Sequence, residues 1–129
     1  MDEKFNEATR NRPEGDRPVD SPLILIDLPS CIRQIKSEKA WKENDRNSIT
    51  LFKSVKMRIV LVALHKKAEM STEHPDNVLS LQLISGKLQL QANNETVQVR
   101  KSQVVALHDK IPYRLEAVKK SIFILTLSD

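Results

Sequence analysis

A chain of 129 residues can build one hydrophobic core but not two, and folding at this length hides roughly two-thirds of the surface the unfolded chain exposes. The net charge is +4, but its 21 Lys and Arg are spread along the whole chain among 17 Asp and Glu, and the aromatics are only Phe5, Trp41, Phe52, Tyr113 and Phe123. That pattern argues against nucleic-acid binding, which wants a clustered basic face with stacking platforms.

Met1 to Asp20 is charged and poor in aliphatic residues, carries Pro13 and Pro18, and reads as a flexible or surface-hugging arm. It lacks the apolar run of a secretory leader, and Cys31, the only cysteine, can form no internal disulfide, so the expected compartment is cytoplasmic. No apolar stretch approaches the ~20 residues of a membrane helix, so no membrane partner is expected. Pro22-Leu-Ile-Leu-Ile-Asp27 is a short strand candidate. Between about residues 29 and 44 the period changes: Leu28, Ile32, Ile35, Ala40 and Trp41 recur near helical spacing, with Ser30 placed to cap. The spacing predicts one amphipathic helix laid over the protein's own sheet.

After Asn47 the chain reads as strands: 48–53, 57–64, 78–85, 87–91, 96–100, 103–107, 112–117 and 122–127. Short polar connections separate them, Ser85-Gly86 among these, and the pairs Lys66-Lys67 and Lys119-Lys120 read as loop charges. Eight short strands at this spacing predict an all-β antiparallel barrel or sandwich for residues 21–129. In 57–64, Ile59, Leu61 and Ala63 on one face are matched by Val60, Val62 and Leu64 on the other, so both faces need cover. The outer cover must come from the helix, the arm or a second subunit, and a homodimer is one expectation.

The stretch from Ala63 to Leu127 resembles the cupin family, whose jelly-roll barrel, a double-stranded β-helix, is built around two short motifs. Lys67 to Gly86, with His74 inside it, follows the first motif, and Ser102 to Tyr113 the spacing of the second. Lys67 and Ser102 stand where the motifs have glycine, and His108-Asp109-Lys110 replaces a Pro-x-Gly turn. The resemblance implies a site for iron, manganese or a similar ion. Carried over position by position, His74 matches one histidine of the first pair, Thr72 and Asp76 flank it where a second would stand, Leu79 takes the place of the glutamate and Tyr113 that of the last histidine.

Alternation along a strand puts Leu79, Leu81 and Leu83 on the face where ligands would sit, a row with nothing to offset the desolvation of a cation. The expectation is therefore a metal-free module without cofactor or catalytic residues. A small, partly apolar ligand is expected near His74, Leu79, Leu81 and Tyr113. The contrasting reading is that the leucines fill the barrel. The alternative function is a metal-dependent oxygenase or isomerase using His74 with His65, Asp76 or His108. No Gly-x-Ser-x-Gly turn supports a hydrolase. Tyr113 or His74 would serve as general acid or base only with a substrate in reach.

Overall fold

A computed structural model describes residues 4–6, 17–73 and 75–129. Two short antiparallel strands, β1 (Lys4–Asn6) and β2 (Arg17–Asp20), precede the barrel, and β2 packs beside β3 (Arg46–Lys53) with Val19 and Asp20 buried. Residues 22–27 form no strand. Their alternation survives, but Leu23 and Leu25 face solvent while Ile26 turns into the core, because none of the described strands pairs with this segment and Pro22 has no N–H to donate.

The expected single helix is two, α1 (Leu28–Ser37) and α2 (Lys39–Glu43). The N-cap is Asp27 rather than Ser30: the Asp27 carboxylate accepts from the Ser30 N–H at 3.2 Å, and Pro29 fills the first turn, where no N–H is needed. The break falls at Glu38, whose backbone is extended and serves as C-cap to one helix and N-cap to the next. Buried Asn47 holds it there. Its amide donates to the Ile35 carbonyl (3.0 Å) and to the Glu38 carboxylate (2.9 Å).

The other strands are β4 (Met57–Leu64), β5 (Glu69–Thr72), β6 (Val78–Ala92), β7 (Glu95–Arg100), β8 (Val104–Leu107) and β9 (Tyr113–Ser128). All pairings are antiparallel. The register sorts them into two leaves: β3, β4, the second half of β9, the first half of β6 and β8 in one, and β5, the first half of β9, the second half of β6 and β7 in the other. The segments expected as separate strands on either side of Gly86, and on either side of residues 118–121, are therefore single long strands. They pass from one leaf to the other through bulges between Leu83 and Leu88.

Gly86 at φ +97° makes this bend, and a Cβ there would strike the Ser121 hydroxyl and the Lys120 carbonyl. Ser121, fully buried, pins the crossing: its hydroxyl donates to the Lys119 carbonyl (2.7 Å) and accepts from the Lys87 N–H (3.0 Å).

Two cores follow from alternation on β4, as the sequence requires. Val62 and Leu64 enter the barrel with Leu81, Leu83, Leu88, Leu115 and Phe123. Leu61 and Ala63 face outward against Ile35, Trp41, Ile49 and Ile122 under the helices, so the cover this face needs is supplied within the chain. Among the described residues no helix is long and apolar enough to cross a membrane.

Candidate functional site

The two leaves do not close against each other everywhere. β7 and β8 are free edges of opposite leaves, each bonded to β6 but not to one another, and the gap between them is a cavity of about 650 Å³. Its walls are the inward side chains Leu90 and Ala92 of β6, Val97 and Val99 of β7, and Val105 and Leu107 of β8. Ile111 closes one end, and Asn93, Glu95 and His108 stand at the rim. Gln98 and Gln103 also border it but are engaged elsewhere, with Gln89 and with the Arg100 N–H.

The described residues expected at a pocket stand beside this cavity, not in its lining. Leu79 lies opposite Leu107, Leu81 opposite Val105 and Tyr113 opposite Ala92, so each is the cross-strand neighbour of a cavity residue while itself packed in the inner core. His74 lies outside the described residues. The leucine row is packed in the inner core, and the cavity opens at the edge, where small valines oppose leucines of β6. An edge strand with two inward valines and no aromatic was the available signal.

The positions the resemblance assigns to metal ligands can be tested on their chemistry. Leu79, 4% exposed among apolar neighbours, offers no donor, and Thr72 and Tyr113, opposite each other across β5 and β9, offer hydroxyls where the family has imidazoles. As a set, these three positions supply neither imidazole nor carboxylate to an ion. The other histidines do not complete it: His65 bonds the Trp41 carbonyl through Nε2 (2.8 Å) and stacks on the Trp41 ring with centroids 3.5 Å apart, while His108 stands at the cavity rim. Among the described residues no three His, Cys, Asp or Glu side chains gather.

The motif backbone persists where its chemistry does not. Lys67 (φ 77°), Ser102 (φ 70°) and Lys110 (φ 64°) occupy the left-handed region, and these are the positions at which the two motifs have glycine. The ion pairs Asp45–Arg46 and Glu69–Arg114 lie at the surface. The Arg46 guanidinium, bonded to Asp45 at 2.8 Å, holds that carboxyl below its ordinary value, and Arg114 pairs with Glu69 on the outer face of β5 and β9.

No family model matches the sequence, and no curated protein matches it. Solved structures do match. A conserved protein of unknown function from Streptococcus pyogenes superposes with a TM-score of 0.67 at 20% identity, over 86% of this chain and 91% of that one. A cupin superfamily protein from Desulfitobacterium hafniense gives 0.63 at 13%, over 67% of this chain and 79% of its own. A salicylate 1,2-dioxygenase from Pseudoaminobacter salicylatoxidans gives 0.60 at 16% over 65% of this chain, which spans only 26% of that enzyme. The bent, two-leaved barrel, the retained motif backbone and these superpositions identify the fold as the cupin jelly roll.

Proposed function

We propose that the protein is a metal-free, non-catalytic cupin-fold module that holds a small, partly apolar ligand in the cavity between β7 and β8. The supporting observation is the composition of that cavity: an aliphatic wall from three strands, with one carboxylate and one imidazole at its rim. About 650 Å³ falls within the range that encloses small ligands, and few, well-placed polar groups are what orient them. The ligand class that matches is an aliphatic or aromatic body bearing a hydrogen-bonding group for Glu95 and His108. The absence of a carboxylate or imidazole at Leu79 and Tyr113 favours binding over metal chemistry.

The test is a two-dimensional amide NMR screen with small aromatic amines and carboxylic acids. Binders should shift amides of Leu90, Val99, Val105 and Leu107, and Val105→Trp, which fills the cavity, should abolish the shifts while leaving the rest of the spectrum intact. Shifts that map elsewhere, or that survive Val105→Trp, would refute the assignment.

A further inference from the structure

Cations that are scattered in the sequence converge at the bend of the barrel. Four chain segments meet there: 64–68 (LHKKA), 84–88 (ISGKL), 99–103 (VRKSQ) and 117–121 (AVKKS). Lys87 lies directly opposite Arg100 on one side and Lys119 on the other. The Lys67 N–H bonds the Ala117 carbonyl at 2.8 Å, which joins the Lys66-Lys67 loop to the same row. Together the segments carry seven cations and no acid, against a net charge of +4 for the whole chain, so the remaining residues are net acidic. Among the described residues none of the seven forms an ion pair.

Like charges directly opposite on neighbouring strands are destabilising, so this row works against the fold that creates it. Leu88 and Val99 are buried inward, which turns their neighbours Lys87 and Arg100 outward, away from the cavity.

We propose that this row is a binding surface for the phosphate backbone of a nucleic-acid duplex, contacted without reading sequence. Strands lie about 4.8 Å apart, so the row from β7 to the loop beyond β9 spans roughly 15 Å, enough to reach phosphates on both sides of a major groove about 12 Å wide. Six of the seven are lysines, point charges that neutralise phosphates without forked base contacts. The four segments contain no Phe, Tyr or Trp to stack single-stranded bases. They expose no large apolar side chain for a membrane. The row crosses the strands, whereas an acidic peptide adding to a sheet edge would run along them.

The experiment is fluorescence anisotropy with a labelled 24-base-pair duplex of mixed sequence. Binding should be roughly micromolar in 50 mM salt and weaken about a hundredfold by 200 mM, the slope for about four neutralised phosphates. Lys87→Glu/Lys119→Glu/Lys120→Glu should weaken it more than tenfold and flatten the salt slope. Lys66→Glu/Arg100→Glu/Lys101→Glu, drawn from the other two segments, should do the same. Arg33→Glu/Lys36→Glu/Lys42→Glu, an equal change in net charge on the helices, should leave affinity within about threefold. No wild-type binding at 50 mM salt, equal losses in all three variants, or tighter binding to polyglutamate or to phosphatidylserine vesicles would each overturn the proposal.

Discussion

Gly86 and Ser121 are the two small residues that allow β6 and β9 to cross within contact distance. Gly86→Ala adds a Cβ 2.6 Å from the Ser121 Cα at a left-handed φ, and should cost about 2–5 kcal/mol from strain and overpacking together, read as a lower midpoint in urea. Ser121→Ala leaves the half-buried Lys87 N–H without its partner and should cost about 1 kcal/mol.

The opposite sign is expected at Lys67 and Ser102. A left-handed backbone costs an L-residue roughly 1–2 kcal/mol, and glycine returns roughly 0.5–1 kcal/mol of that as lost chain entropy. Lys67→Gly and Ser102→Gly should therefore each stabilise by about 0.5–1 kcal/mol, raising Tm by a few degrees in calorimetry. None of this was readable from the residues themselves. Lys67, Ser102 and Lys110 were visible as departures from glycine, but that the backbone keeps the glycine conformation depends on the turns around them.

Asp45 gives a weaker, pH-dependent handle. The Arg46 hydrogen bond lowers its folded value below the ordinary 3.8, so the pair contributes stability that is fully present above that pH and is lost as pH falls through the folded value. A carbon-detected NMR titration should place the Asp45 midpoint below 3.8, and Arg46→Ala should return it.

At the scale of elements, the helical pair is fastened to the barrel by a stripe of apolar contacts, by the Asn47 amide and by His65 on Trp41. Ile35 is completely buried, and Ile35→Ala should cost about 2–5 kcal/mol. Asn47→Leu removes the donor to the Ile35 carbonyl and the Glu38 carboxylate, and should loosen α1 and α2 first. Hydrogen exchange should then show faster amides at Ile35, Trp41 and Asn44 while β6 keeps its protection.

The sequence showed the stripe, because 3.6-residue spacing survives any cap. It did not show the break at Glu38, which is imposed from Asn47, nine residues later on a different element. Strand recognition had the same limit. Alternation located β3, β4, β7 and β8, whereas Glu-Met-Ser-Thr in β5 has a single apolar side chain and no period to read. Ser85-Gly86 looked like a hairpin turn because a tight reversal and a bend between leaves both call for a positive φ.

For the whole molecule, the fold class and the doubly covered β4 were legible in local pattern, and the cavity and the basic row were not. Both of the latter arise from pairings between distant segments: Lys87 with Arg100 and Lys119, and β7 with β8 across an unpaired gap. Spacing along the chain contains no information about which edge stays open. The same logic governs metal content. Purified protein should carry less than about a tenth of an equivalent of iron, manganese, nickel or zinc by elemental analysis, given the hydrocarbon at Leu79 and the ligand number such ions require. Stoichiometric metal that disappears in His74→Ala would reverse that reading.

The long strand β9 runs through the middle of both leaves, between β4 and β6 in one and between β5 and β6 in the other. Of the described strands it is also the last in chain order. A ribosome that has delivered β3 through β8 has produced strands that pair β3 with β4 and β6 with β7 and β8, but not the strand that ties β4 and β5 to β6, so neither leaf is complete before β9. Nascent chains arrested before residue 113 should therefore remain sensitive to protease.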